Sequence, residues 1–485
     1  MTRPPSLPTN IESLHMLIWQ LFERIETLEK DYGELQAEHQ VLQTEAKALK
    51  EENTRLKERL NQDSQNSHLP PSQDGYKKPK KNRQAQLPKE AKAKGGQVGH
   101  KGKTLEQVSE PDSHEVHLPQ ACSCCGRRLD PNEGYSLSKE RRQVCDIPPV
   151  HLEVTEHRLG IMECCGQQHH GTFPDHVTAS VQYGAGMKAW VNVLSVGYRL
   201  PLKQISQLLA DSYGYAINSS TLMSYIKAGH DQLEATEASI KNHLNEASVV
   251  HVDETSLRCQ STLQWLHVAS TAGYTYLFLH AKRGKEALKS RLSILPNYRG
   301  RLVHDCWQSY FDFTQANHAL CGAHLLRELQ ACMEQDTVWA RKMHRFLCEL
   351  LQQSRSGPLS TPSSIRDSYD RILQQADEEE PPPVPSTRGR PKQSKGRNLH
   401  HRLKKHADAV LAFAFYEDVP FTNNQAERDI RCVKVKQKIS GGFRTLHGAQ
   451  HFTRIQAVIS TLRKQNLPVL ESFRKLFEGT KTVLI

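Results

Sequence analysis

One carboxylate and a row of cations recur at helical spacing in the segment TNNQAERDIRCVKVKQKISGGFRT, residues 422–445. Stepping by three or four residues from Glu427 reaches Arg431, Lys434 and Lys438, which places all four side chains on one stripe of a helix. A cationic stripe suits a phosphate backbone, and an acid beside it suits a divalent metal ion. A solvated, salt-bridged surface helix is the alternative.

The ends of this helix are also indicated by the sequence. Thr422 or Asn423 is expected to cap its first turn, because their side-chain oxygens accept from backbone N–H groups that the helix leaves unpaired. Gly441 and Gly442 are expected to end it.

Two aspartates are expected to join Glu427 at the ends of strands. Ser248–Leu257 contains a β-branched run that ends in Asp253, and Arg301–Tyr310 contains a second run that ends in Asp305. Between them we expect three further elements, namely strands at 263–270 and 275–282, which 271–274 join as a hairpin, and a helix at 285–294. A lone Asp at a strand end is commonly a turn or cap residue, which is the alternative reading for each aspartate.

Four segments together resemble the signature blocks of DDE transposases of the insertion sequence 66 family: VDET, HDCWQSY, CGAHLLREL and residues 422–445. The similarity extends over nearly the whole chain. It implies a ribonuclease-H-like catalytic domain that moves a DNA element with two divalent metal ions, Mg²⁺ or Mn²⁺, in each active site. The acidic triad of the family would be Asp253, Asp305 and Glu427. The resemblance also implies small accessory proteins as partners and a bacterial or archaeal host, with action at the nucleoid.

Composition sets the outer limits of the interpretation. The chain has 485 residues, a formal net charge of +11 and 12 cysteines. We therefore expect several domains and a polyanionic partner. The sequence contains no run of eighteen apolar residues and no signal peptide pattern, so we expect a cytoplasmic protein without a membrane partner, whose cysteines are thiols or metal ligands.

Residues 1–65 carry a heptad repeat. Ile11, Ile18 and Ile25 occupy a positions and Asn53 a later one, while leucines fill every d position: Leu14, Leu21, Leu28, Leu35, Leu42, Leu49 and Leu56. Ile at a with Leu at d favours a parallel two-stranded coiled coil, so we expect a homodimer or a higher oligomer. A long helix packed on its own protein is the alternative. A basic-zipper factor is excluded, because the ten residues before the coil hold one Arg.

A basic linker at 66–103 leads to a cysteine-bearing module at 104–175. Cys122 and Cys125 have the spacing of a zinc knuckle, and a zinc ion is expected on Cys122, Cys125, Cys165 and either Cys164 or His169. The second half departs from the usual Cys-x-x-Cys pattern, because Met162 stands three residues before Cys165. A metal-free β module is therefore the alternative.

The helical region 176–245 contains a pattern typical of a helix-turn-helix. One helix is expected over Leu202–Ala210 and a second from Ser219 to Ile226, with Ser219 or Ser220 as its cap. Such a pair could contact DNA, and simple packing against the rest of the domain is the alternative.

The remaining chain is divided into a first part of the catalytic core (246–330), a helical insertion (331–416) and the C-terminal helices of the core (417–485). Ala319–Leu329 is predicted as a helix, and its Glu328 is a rival third acid. In the insertion, Arg388 and Arg390 resemble a minor-groove hook, with a disordered linker as the alternative. The full set of expected DNA contacts is Arg428, Arg431, Lys434, Lys438, Arg444, Arg388 and Arg390.

The fold class that follows is a multidomain α/β protein with a mixed-sheet catalytic domain. Two functional classes stay open. One is a transposase that binds the ends of a DNA element, cuts them and joins them to target DNA. The other is a DNA-binding regulator without catalysis, or a metal-dependent nuclease of the same fold.

Overall fold

The computed structural model describes residues 10–60, 105–148, 150–357, 359–382 and 393–479. The chain forms two compact units. A helical unit comprises Met1–Lys81, Gly322–Leu350 and Ser360–Lys405, and a sheet unit comprises Asn82–Cys321, Leu351–Leu359 and His406–Ile485. Within the described ranges, no helix combines the length and the apolar character that crossing a membrane requires.

Helix α1 runs from Ile11 to Leu60 without a break, as the heptad repeat predicts. Its d-position side chains are exposed within the single chain, with values of 54 % at Leu21 and 63 % at Leu35. An apolar seam of this kind, on a helix that is otherwise charged, is the pattern of a coiled-coil strand. The basic linker 66–103 lies outside the described residues.

The cysteine-bearing module contains little regular structure. Its one hairpin pairs β1 (Ile161–Cys164) with antiparallel β2 (Gln167–His170), and a short 3₁₀ helix spans Pro131–Glu133. Every residue of both strands is exposed.

Four helices follow in the sheet unit: α2 (Ala185–Asn192), α3 (Leu202–Tyr213), α4 (Ser219–Gln232) and α5 (Glu234–Glu246). The chain continues from α2 through a π-helical turn at Val193–Gly197. The predicted pair α3 and α4 is present, and Gly214 ends α3 in the left-handed conformation. The cap of α4 was wrongly assigned to Ser219 or Ser220: Asn218 precedes the helix, and its side chain accepts from Ser220 N at 3.0 Å.

Five strands form one mixed sheet in the order β5-β4-β3-β6-β7. These are β3 (Val249–Cys259), β4 (Thr262–Ser270), β5 (Thr275–His280), β6 (Arg301–His304) and β7 (Asn317–Leu320). The first three pair antiparallel, which confirms the hairpin around 271–274, whereas β3, β6 and β7 pair in parallel. Strand β3 is therefore the centre of the sheet.

Three details of the sheet region differ from the sequence-based expectation. Asp253 lies within β3 instead of at its end, because the strand continues past it to pair with β4 as far as Cys259. The helix expected at 285–294 is a single turn, α6, at Lys285–Leu288. The helix expected to begin at Ala319 begins at Gly322, since Ala319 and Leu320 belong to β7.

From Gly322 onward, the described residues form mainly helices. The helices are α7 (Gly322–Met333), α8 (Val338–Ser356), α9 (Pro362–Glu379), α10 (Lys395–Lys405), α11 (Ala407–Phe415), α12 (Asn424–Ser440), α13 (Leu446–Lys464) and α14 (Val469–Phe477). Arg388 and Arg390 lie outside the described residues.

The core of the sheet unit forms where α12 and α13 cover the sheet. Val250 and Leu266 of the strands and Val433 and Ile455 of the helices are fully buried in one cluster. Burial of aliphatic side chains on this scale fixes the helices against β3, β4 and β5. It also fixes where the first turn of α12 meets the sheet.

Candidate active site

Asn423 docks the start of α12 onto the central strand. This residue is 1 % exposed. Its side chain donates to Val252 O at 2.8 Å and meets His251 Nδ1 at 2.9 Å, and its backbone N–H donates to Cys321 Sγ at 3.1 Å. Asn423 occupies the expected cap position, but its side chain makes no capping hydrogen bond to the helix. It holds the helix to β3 instead, one residue away from Asp253.

The parallel pairing of β3 with β6 brings the two aspartates to the same edge. The pairing ends at His251 opposite Val303, and Asp253 and Asp305 each follow two residues later. Because residues two apart along a strand share a face, both carboxylates are directed to the same side of the sheet. The charge of Glu427, from the first turn of α12, also acts on Asp253. Among the described residues, the oxygens of these three acids do not all lie within 4.8 Å of one another.

Electrostatic repulsion connects the three acids. The pKa of Asp253 is raised well above its ordinary value, first by burial and then by the negative charges of Glu254, Asp305 and Glu427. One backbone hydrogen bond, from Glu254 N at 2.9 Å, partly opposes this rise. Asp305 likewise accepts a backbone hydrogen bond, from Trp307 N at 3.0 Å.

Acids that cluster for a structural role are usually balanced by Lys or Arg, and the two aspartates are not balanced in this way. In the described part of the chain, no Lys or Arg pairs with Asp253 or Asp305, and the nearest ion pair of Glu427 is with Arg431 at 3.9 Å. Glu427 Oε1 is buried and makes no hydrogen bond to any described residue. Carboxylate oxygens are the ligands that Mg²⁺ and Mn²⁺ prefer, so the three acids have the donor chemistry of a divalent metal site.

A family model described as Transposase IS66 family matches residues 180–451, which is more than half of the chain and includes all three acids. The chain belongs to the IS66 family of transposases. A second model, of a family of unknown function, matches residues 4–106. No curated protein matches the chain.

A fourth acid beside the triad was missed by the sequence analysis. Glu254 is 2 % exposed in its side chain, and its Oε1 accepts from Arg283 Nε and Nη2 at 2.9 and 2.7 Å. Its Oε2 accepts from the Tyr310 hydroxyl at 2.5 Å. The Arg283 guanidinium in turn lies over the ring of Trp307 at 4.4 Å. Unlike Asp253, Glu254 has a cationic partner within the protein, Arg283. We therefore expect Glu254 to position its neighbours and not to bind metal.

The cations of α12 divide into inward and outward groups. Lys434 differs from the expected phosphate contact, because its Nζ donates to the backbone oxygen of Ser256 on β3 at 2.6 Å. Burial lowers the pKa of Lys434. The exposed members of the expected set are Arg428, Arg431, Lys438 and Arg444.

Glu328, the rival third acid, has a partner of its own in the helical unit. It forms an ion pair with Arg402 of α10. Glu427 differs from Glu328 in its cation, because its ion pair, with Arg431, is at 3.9 Å and involves an exposed side chain of the same helix.

The expected zinc ligands lie in two separate turns. A turn closes from Gly126 N to Cys122 O at 2.9 Å, and hydrogen bonds from the backbone N–H groups of Cys125 and Cys124 lower the pKa of the Cys122 thiol. Cys164 and Cys165 have sulfur atoms 3.6 Å apart at the end of β1. Among the described residues, no three of the five expected ligands, His169 included, have ligand atoms within 4.8 Å of one another. The zinc site stays a prediction.

Proposed function

We propose that this IS66-family protein is a DNA transposase whose sheet unit is a ribonuclease-H-like catalytic domain. Asp253, Asp305 and Glu427 would hold two divalent cations, Mg²⁺ or Mn²⁺. The observation that supports the proposal is that burial and the charges of neighbouring acids, Asp305 and Glu427 among them, raise the pKa of Asp253, while no described Lys or Arg pairs with either aspartate. A bound cation would relieve that repulsion.

The bound cations would neutralise charge on the attacking and leaving oxygens of a phosphodiester. The chain's own residues do the positioning. Asn423 and Lys434 hold α12 against β3, so the Glu427 carboxylate is fixed relative to Asp253. Glu254, held by Arg283 and Tyr310, fixes the backbone N–H that donates to Asp253. The groups that must act together are thereby held in one geometry before DNA arrives.

Two successive transfers would then occur at this site. Water would attack a phosphodiester at the end of the element, releasing a 3′ hydroxyl. That hydroxyl would attack a phosphodiester of the target DNA, and the displaced target strand would leave with its own 3′ hydroxyl. The exposed cations of α12, Arg428, Arg431 and Lys438, lie on the same helix as Glu427 and would bind the adjoining phosphates.

A non-catalytic DNA-binding regulator has no use for this arrangement. Keeping an unneutralised carboxylate buried beside two others costs stability, and DNA binding gains nothing from it.

The test is nicking of DNA that carries the element's ends, in Mg²⁺ or Mn²⁺, with DNA binding measured in parallel. Asp253→Asn, Asp305→Asn and Glu427→Gln should each retain DNA binding and lose nicking by about two orders of magnitude or more. Glu417→Gln, an exposed acid of the same unit, is the matched control and should cut normally. If all three triad variants cut like the unmodified protein, the assignment is wrong, and Glu328→Gln becomes the next variant to measure.

A further inference from the structure

Two histidines, His304 and His318, contact each other next to Asp305. Neither has a role in the function proposed above. His304 is 0 % exposed and is the last residue of β6. His318 lies on the neighbouring strand β7, and the two imidazoles meet edge to face, with His304 Nε2 at 3.2 Å from His318 Nδ1. Hydrogen bonds between buried polar side chains fix those side chains in one arrangement.

The hydrogen-bond partners assign the tautomers of the pair. His304 Nδ1 lies 3.2 Å from the backbone nitrogen of Cys306, which can only donate, so Nδ1 is the acceptor. The proton of neutral His304 is therefore on Nε2 and is donated to His318 Nδ1. Burial lowers the pKa of His318, and the backbone of Phe313 partly opposes this change. The chain of donors thus begins at the N–H of Cys306, the residue after Asp305, and runs through His304 to His318.

That peptide adopts an unusual conformation. Cys306 has φ of 76°, in the left-handed region that favours glycine. A side chain with a Cβ adopts this conformation only where its surroundings impose it. The next residue, Trp307, donates its backbone N–H to Asp305 Oδ1 and stacks its ring on Arg283. The direction of the Asp305 carboxylate therefore depends on the turn at Cys306.

We propose that His304, braced by His318, is a positioning residue that holds the strained Cys306 peptide and thereby aims the Asp305 carboxylate into the acidic site. This inference rests on the proposed function for the purpose of that carboxylate. The hydrogen bond from Cys306 N to His304 Nδ1, called the anchor below, is a property of the turn. It can be measured without metal or DNA.

Two substitutions distinguish the roles of the two ring nitrogens of His304. His304→Asn keeps an acceptor near the position of Nδ1, within reach of the Cys306 N–H, and loses the link to His318. His304→Gln extends toward His318 and loses the acceptor for Cys306. Core packing alone would make both changes equally harmful, whereas the anchor makes the glutamine variant the worse one.

The first measurement is hydrogen exchange of the full-length protein over the segment 303–308, without divalent metal. His304→Gln should speed exchange at Cys306 about tenfold or more, and His304→Asn should speed it less, because it keeps the acceptor for Cys306 and loses only the brace. Equal rates in the two variants would overturn the proposal. If neither variant folds, His318→Phe, which removes only the brace, should speed the same exchange, and an unchanged rate there would overturn the proposal as well.

The second measurement is calorimetric binding of Mn²⁺ alone. His304→Gln should weaken binding about tenfold, the effect common for residues that support metal ligands. Adding Cys306→Gly should recover most of that loss, because glycine adopts the turn without the anchor. Failure of the glycine change to recover binding would contradict the proposal. Asp305→Asn separates the two hypotheses: if it binds Mn²⁺ normally, the metal site of the proposed function is wrong, and hydrogen exchange alone decides the anchor.

Discussion

Asp253 and Glu254 are neighbours in one strand, yet the protein treats their charges in opposite ways. Glu254 receives hydrogen bonds from a guanidinium and a phenol, whereas Asp253 receives one backbone N–H. The charge of Glu254 still raises the pKa of Asp253, and burial and the charge of Asp305 raise the pKa of Glu254 itself. The contrast identifies Asp253 as the carboxylate whose charge an external ligand must balance.

The raised pKa of Asp253 predicts an unusual dependence of stability on pH. Burial, with the charges of Glu254, Asp305 and Glu427, raises this pKa in the folded state. The folded chain therefore binds the proton more tightly than the unfolded chain. The favourable contribution is complete below the ordinary aspartate pKa, about 3.9, and is lost as the pH rises through the raised value.

Asp253→Asn should accordingly be more stable than the unmodified protein at neutral pH in EDTA. The difference in free energy of unfolding should shrink as the pH falls toward 4, about the ordinary aspartate pKa, where both side chains are neutral. Chemical denaturation at several pH values provides the measurement, with Glu417→Gln as the matched control. Mg²⁺ should stabilise the unmodified protein more than the variant. A variant that is less stable at every pH would contradict the argument.

The sequence predicted the triad but not the residues that surround it. Asp253, Asp305 and Glu427 stand in recognisable segments next to regular elements. Glu254 pairs with Arg283 and Tyr310, 29 and 56 positions away, and no local pattern predicts such contacts. The anchor at Cys306 could not be predicted either, because no sequence pattern indicates a positive φ at a cysteine.

At the scale of elements, the sequence predicted the bounds of helix α12 closely. It did not predict which side of the helix faces the sheet. The helix ends at Gly441, which has φ of 73°, as expected. The sequence could not indicate which lysine faces the sheet, since Lys434 and Lys438 both lie on the predicted stripe. Strand β7 was also missed, because it has four residues and its Ala319 and Leu320 merge with the apolar pattern of α7. Tertiary pairing decided both cases.

The two lysines of α12 should therefore have separable roles. Lys434→Met removes a charged donor to Ser256 O and should lower the free energy of unfolding by about 1.5–3 kcal/mol. Lys438→Met should change stability by less than about 0.5 kcal/mol. It should instead weaken DNA binding and reduce the salt dependence by about one charge. Denaturation and binding at several salt concentrations test both variants, and a reversed pattern would refute the inward assignment of Lys434.

The cysteine turns allow a second prediction at this scale. The lowered pKa of Cys122 favours its thiolate, which is the form that binds metal. We expect about one zinc per chain on Cys122, Cys125, Cys165 and either Cys164 or His169. Elemental analysis after expression with added zinc is the measurement, and Cys122→Ser with Cys125→Ser should abolish the signal. Less than about a tenth of a zinc per chain would favour the metal-free module.

At the scale of the whole molecule, the net charge of +11 and the proposed site for acid-held cations would act on the same partner, DNA. The general positive charge attracts DNA of any sequence and makes binding sensitive to salt. A transposase must also hold the ends of its element together while they are cut and joined. Two linked copies of the chain provide two active sites for two ends.

We expect helix α1 to supply the surface for such a pairing. It has 50 residues, which gives a rod of about 75 Å. Leucines occupy each d position along it, and those from Leu21 to Leu42 are 53–63 % exposed. A 50-residue apolar seam left in water is unfavourable, and a second copy in parallel would bury it by knobs-into-holes packing. We therefore expect a dimer through α1.

Leu28→Pro should break α1 in the middle and loosen the dimer, because proline removes a helical hydrogen bond and clashes with the preceding turn. Leu28→Ala keeps the helix and should weaken the dimer less, while Lys30→Ala, off the seam, should have no measurable effect. Light scattering at micromolar concentration should give twice the 55.1 kDa chain mass for the unmodified protein. A monomer under those conditions would remove the coiled-coil dimer. Nicking of a single end by Leu28→Pro, with joining of paired ends lost, would show that the coil serves to pair the two ends.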